Sequence, residues 1–152
     1  MAAFILKFGV IKFRNEKTMK VYVSAKFDDK ERVKNVYTLL RQMGHTITHE
    51  WIHNKASYPF SLNSEFTAQC AVQDIEGVRA ADIFILLSNA EPSMGASAEL
   101  GAAIASFLTF KRPYIYVVGP HFDTNFCFYH PTVTRKNSIE EVLQECEQGL
   151  LT

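Results

Sequence analysis

An excess of charge of either sign is missing from this chain of 152 residues, in which Lys and Arg together number 16 and so do Asp and Glu. That balance excludes the basic field that drives nucleic-acid binding. It equally excludes the cationic face of a helix lying on a membrane surface. Cysteine is scarce: Cys70, Cys127 and Cys146 stand far apart with no C-x-x-C pair. Neither a disulfide framework nor a thiolate zinc site fits such spacing, and reduced thiols in a cytoplasmic setting are expected. No apolar run is long enough to span a membrane. The nearest approach, MAAFILKFGVIKFRNEKT at residues 1–18, is broken by Lys7 and Lys12 and is followed by no A-x-A-like cleavage site. Residues 1–18 therefore read as an extension, disordered or strand-like, with a cryptic signal as the alternative, ahead of one domain over residues 19–152. Internal repeats, low-complexity segments and a second domain are also absent. At this length a single core can bury roughly 68–70% of the unfolded surface.

What is present alternates between strand and helix. Lys20–Ser24 is a short β-branched and aromatic run, and Asp28-x-x-Glu31 offers a capping-box-like helix start. Val33, Val36, Tyr37, Leu40 and Met43 recur at helical spacing, and Gly44 stands where a glycine ends such a helix. Residues 45–48 suggest a second strand, followed by a polar and aromatic loop over 51–63 whose length points to function. A helix over 65–80 would turn Phe66, Cys70, Ile75 and Val78 to one face. ADIFILLSN is apolar on both faces, as a central parallel strand must be. Residues 96–107 predict a helix rich in Ala and Gly, able to lie close to the sheet. RPYIYVVG reads as another buried strand, and Ser138-Ile-Glu-Glu141 opens a last helix with Val142, Leu143 and Cys146 turned inward. Strands alternating with helices imply right-handed crossovers: an α/β domain with a mainly parallel, Rossmann- or flavodoxin-like sheet and helices on both faces.

Ligands of such sheets bind beyond the carboxyl ends of the strands. Residues 24–28, the start of the helix carrying Glu99, and Gly119–Pro120 should converge there. Ser93, Gly95 and Ser97 form a small-residue turn whose N–H groups and helix N-terminus would attract an anion. Taken alone, Glu99 is a glutamate favoured by the dipole of a nearby helix start.

EPSMGASAELGAAIA at 91–105, VYVSAKF at 21–27 and QDIEGVRAADIFILL at 73–87 together resemble the nucleoside 2-deoxyribosyltransferase superfamily. The chain is most similar to its branch of 2′-deoxynucleoside 5′-phosphate N-hydrolases. The likeness spans most of residues 20–119, and its most specific part is S-x-G-x-x-x-E-L-G-x-A from Ser93 to Ala103. The resemblance implies that Glu99 attacks the anomeric carbon to give a glycosyl-enzyme. A carboxylate suits that chemistry, since it stabilises an oxocarbenium-like transition state and can bond to it.

By the same resemblance, Asp74 lies near the sugar and the departing base, where it orients Glu99 or delivers a proton to the base. Tyr22 flanks the catalytic pair, and Ser24 and Lys26 belong to the first substrate-binding loop. Read without the family, Asp74 is an ordinary solvated helix acid and Tyr22 a strand aromatic. Ser93 stands where many of the transferases carry an aspartate that holds the sugar 5′-hydroxyl. A carboxylate there would repel a phosphate, whereas a hydroxyl can donate to one, which favours a 5′-monophosphate and hydrolysis. Lys26 departs from the small residues of the family's first loop and would either neutralise the phosphate or block its site.

The expected activity is thus hydrolysis of the N-glycosidic bond of a (deoxy)nucleoside 5′-monophosphate, with base exchange by a deoxyribosyltransferase and non-catalytic nucleotide binding as alternatives. No cofactor and no metal is expected. His45, His49 and His53 are spaced by four, but that spacing crosses a strand into a loop and does not make a metal face. FCFYHP at 126–131 reads as a packed aromatic loop that could wall the base pocket. The partners expected are a small nucleotide or nucleoside and further copies of the chain in a homodimer or higher oligomer, with no nucleic acid and no membrane.

Overall fold

The computed structural model describes residues 17–149 and 151, so the expectations for residues 1–16 lie outside the described part. Five parallel strands form one sheet in the order β2-β1-β3-β4-β5. They are β1 (Lys20–Ser24), β2 (Thr46–Ile47), β3 (Ile83–Leu87), β4 (Tyr114–Val118) and β5 (Val133–Lys136). The helices are α1 (Lys30–Gln42), α2 (Ser64–Ala80), α3 (Met94–Phe110) and α4 (Ile139–Gln148). This is the doubly wound order expected, and the chain reverses its direction of travel across the sheet at β1. Because right-handed crossovers leave in opposite senses on the two sides of β1, α1 covers one face while α2 and α3 cover the other.

Burial explains the strand assignments. All five residues of β3 are buried, as a strand covered on both faces requires. Tyr22, Phe84 and Ile115 lie in register across β1, β3 and β4, and the Tyr22 and Phe84 rings stack at 5.9 Å. The helices dock through short apolar stripes: Val33, Val36, Tyr37 and Leu40 on α1, Ala96, Leu100 and Ala103 on α3, and Val142 and Leu143 on α4. Their burial supplies the main driving force for closing the layers.

Several expectations are corrected. The Asp28/Glu31 box does not form; Phe27–Asp29 make a 3-10 turn and Asp29 precedes α1 without capping it by its side chain. The Asp29 carboxylate is engaged elsewhere, by Arg32 at 3.2 Å and Asn89 at 3.4 Å. Helix α3 is longer at both ends than residues 96–107, and its small buried contacts are alanines. A Cβ on Gly95 or Gly101 would meet nothing within 4 Å, so these glycines do not serve close packing. Ser138 precedes α4 but makes no capping hydrogen bond with its side chain. β5 adds a strand to those read from the sequence, and its VTRK carries two cations. Both are engaged locally: Arg135 donates to the Phe128 carbonyl at 2.9 Å and Lys136 pairs with Glu145, which also accepts from the Tyr116 hydroxyl.

Phe66 is exposed rather than turned inward, and Cys70 is the first buried residue of α2. The reason is length. The 17 residues of α2 span ~25 Å, whereas a five-residue strand covers ~17 Å. The first turns of α2 therefore overhang the sheet.

Candidate active site

Tyr22 and Ser24 are alternate residues of β1, so both side chains leave the same face of the sheet. Both reach Glu99, which lies in the second turn of α3. The Tyr22 hydroxyl donates to Oε1 at 2.9 Å, and the Ser24 hydroxyl donates to Oε2. Each carboxylate oxygen thus has its own donor, and the group is held in one orientation. The first turn of α3 contains no acid, so the dipole of the helix start does not account for Glu99.

Burial pushes the Glu99 carboxyl up to about 7; the Ser24 and Tyr22 hydrogen bonds oppose that rise, and the nearby Asp74 charge adds to it. The Tyr22 hydroxyl is raised far above its usual value, by burial first and then by Glu99 and Asp74, and therefore stays a donor. Asp74 is half-buried on α2, with His49 Nε2 at 3.2 Å from its Oδ1. Burial raises the Asp74 carboxyl, and the adjacent His49 pulls the other way. Gly77, one turn beyond Asp74, fixes this arrangement. A Cβ there would stand 2.7 Å from His49 Cβ and 3.0 Å from the Tyr22 ring.

Glu99 and Asp74 open into a common cavity of about 620 Å³, which Ser93 and Gly95 also line. Its other wall is aromatic: Phe27 against Trp51 at 6.4 Å, and Tyr58 edge-on to Phe60 at 6.0 Å. Such a cavity combines flat apolar surfaces with two carboxyl groups, the combination that a ring-containing polar molecule requires.

The sequence-predicted residues are not all brought together. Glu99, Asp74, Tyr22, Ser24, Ser93 and Gly95 form one constellation. Ser97 turns aside; its hydroxyl donates to the Ser93 carbonyl at 2.7 Å and accepts from Asn125 at 3.0 Å. Lys26 pairs with Glu91 and, like Ser97, lines a neighbouring cleft that meets the main cavity at Ser93. Ser93 also caps α3, accepting the Ala96 N–H at 3.3 Å. Gly119, with φ of +122°, faces Ser88 and Arg32 rather than the cavity. The three histidines go to different partners: His45 accepts from the Met19 N–H, His49 faces Asp74, and His53 lies 3.6 Å from Glu50.

Sequence reasoning missed His49 and did not single out Phe27, Trp51, Tyr58 or Phe60. For the last three of those aromatics the length and aromatic content of the 51–63 loop were the available signal. For His49 there was none, because only the fold places the end of β2 against the middle of α2.

No family model and no curated protein matches the chain. Among solved structures, the Clostridium botulinum CMP N-glycosidase BcmB is similar, with a TM-score of 0.56 and 20% identity over 86% of this chain and 98% of that one. At that identity, what the two proteins share is the α/β fold.

Proposed function

We propose that this protein hydrolyses the N-glycosidic bond of a nucleoside 5′-monophosphate, with Glu99 as nucleophile. The observation that carries this reading is the Glu99 carboxylate, gripped on both oxygens by Tyr22 and Ser24 at the edge of a cavity it shares with Asp74. The fold shared with a protein that acts as a CMP N-glycosidase supports it.

Glu99 attacks C1′ as the bond to the base breaks, and the bonding pair leaves on the base nitrogen. Tyr22 and Ser24 hold the nucleophile in line and keep it from turning away. Asp74, kept protonated more readily by burial, supplies a proton to the base. Water then attacks C1′ and frees Glu99, in the manner of a retaining glycosidase. Ser93 and the N–H groups at the start of α3 offer donors for the phosphate, and Gly95 leaves that wall open. The Phe27 and Trp51 rings give the base a surface to stack on.

The same glycosyl-enzyme could pass its sugar to a second base, so the test must separate water from base as acceptor. Pooled nucleotides and nucleosides are incubated with the protein and scored by mass spectrometry. Release of free base and sugar phosphate without added acceptor is the expected result. Product formed only when a second base is present would replace hydrolysis by transfer. Binding without turnover would overturn both.

We also propose a homodimer. Phe126 and Met94 are about nine-tenths exposed, and Leu108, Phe110 and Tyr129 are more than half exposed. Apolar exposure on this scale is characteristic of an interaction surface.

A further inference from the structure

We propose that His49 is a positioning residue for proton transfer at the leaving base: its imidazole holds the Asp74 carboxyl group in the cavity and shares a proton with it through both halves of the reaction. This rests on the N-glycosidase reading above.

His49 Nε2 and Asp74 Oδ1 face each other at 3.2 Å. Both atoms are closed to solvent, and neither has an aligned hydrogen-bond partner among the described residues. A proton between them would satisfy both atoms at this separation. Three features of the backbone hold the pair together. The Thr48 hydroxyl donates to the Gly77 carbonyl at 2.7 Å, tying the end of β2 to α2. The Tyr37 hydroxyl donates to the His49 carbonyl at 3.4 Å. Gly77 lacks the Cβ that would displace His49.

In the first half-reaction Glu99 forms the C1′–O bond, and the base leaves with the bonding pair and takes the proton of the Asp74 carboxyl group. The new Asp74 carboxylate accepts the Nε2–H of His49. In the second half water attacks C1′, its proton passes to Asp74, and the pair of the C1′–O bond returns to Glu99. One water is consumed, base and sugar phosphate leave, and both acids regain their starting state. The groups facing the pair are Glu99 of α3, Tyr22 of β1 and Tyr37 of α1. Burial keeps the two phenols protonated, so Glu99 also shapes any pH profile near neutrality. Leaving-group dependence is the cleaner readout.

The test compares wild type, His49→Gln, Asp74→Asn and the double variant on nucleoside 5′-monophosphates whose ring-halogenated bases span a range of leaving-group basicity. His49→Gln is expected to lower kcat about 10- to 100-fold with little change in KM, the loss shrinking as the base becomes a better leaving group. The double variant should be no slower than Asp74→Asn. Equal loss for every leaving group, or additive losses, would overturn the proposal. A second measurement needs no turnover: the two-bond ¹⁵N–¹H spectrum of the His49 ring should change at Nε2 in Asp74→Asn. An unchanged Nε2 signal overturns the pair whatever the kinetics. If wild type releases no base from any nucleotide, the N-glycosidase reading and the positioning role fail together, while the ring spectrum still shows whether the proton is shared.

Discussion

The Glu99 carboxylate has two oxygens and two donors, and both donors come from alternate residues of one strand. Replacing it by Gln keeps the volume and removes the charge proposed to attack C1′, so base release should fall about a thousandfold or more in a folded protein. Near wild-type turnover in that variant would rule out the nucleophile. The pH dependence has a definite shape. With the Glu99 carboxyl at about 7 in the free protein, kcat/KM should rise with pH as the proposed nucleophile ionises and fall again once Asp74 loses the proton it is proposed to give the base, a bell-shaped profile. Stability runs opposite to the rising limb. The folded form holds this proton more tightly than the unfolded form, so the contribution is fully present below about 4.5 and is lost as pH rises through about 7. On the alkaline side the buried charge costs about 3 kcal/mol. Glu99→Gln should therefore melt about 6–12 °C higher than wild type at pH 8 and show little difference at pH 4. Thermal unfolding followed by circular dichroism at both pH values decides it.

At the scale of elements, α2 and α3 matter more for where they start than for what they bury. Ser93 ends the loop after β3 and caps α3, a position that aspartate fills equally well. Ser93→Asp should thus leave the helix intact while setting a carboxylate against a 5′-phosphate. We expect kcat/KM for a monophosphate to fall at least tenfold relative to its matching nucleoside; an unchanged ratio would remove the phosphate from this turn. On α2, Gly77 is required by what packs on it. Gly77→Ala would press a methyl into His49 and the Tyr22 ring, at a cost of about 1–3 kcal/mol from overpacking. Urea unfolding should show a lower midpoint with an unchanged slope.

Over the whole molecule, the sheet places β1 next to β3, and the cavity opens where the crossovers from those strands diverge. The aromatic 51–63 segment makes that opening deep enough for a nucleotide-sized ligand. Of the exposed apolar residues, Met94, Leu108 and Phe110 lie on α3 and Phe126 and Tyr129 on the 126–129 turn. Wild type is expected to scatter light as a dimer at micromolar concentration, and Phe126→Asp to shift it toward monomer. A monomeric wild type with full activity would remove the dimer from the account.

The alternation of apolar runs with helical spacings was enough to determine an α/β parallel sheet, because a strand buried on both faces and a helix with one apolar stripe leave local signatures. So did the small-residue string ending in Glu99. Strand β5 left no such signature, since Arg135 is hydrogen-bonded by the Phe128 carbonyl and Lys136 is paired with Glu145, partners supplied by other elements. Only the tertiary structure decided that Tyr22 and Ser24 share one carboxylate, that Lys26 is held by Glu91, and that Ser97 turns to Asn125. His49 shows the limit most clearly. Its meeting with Asp74 depends on the register of β2 against β1, the length of α2 and the missing side chain at Gly77, three long-range conditions that no local run of residues encodes.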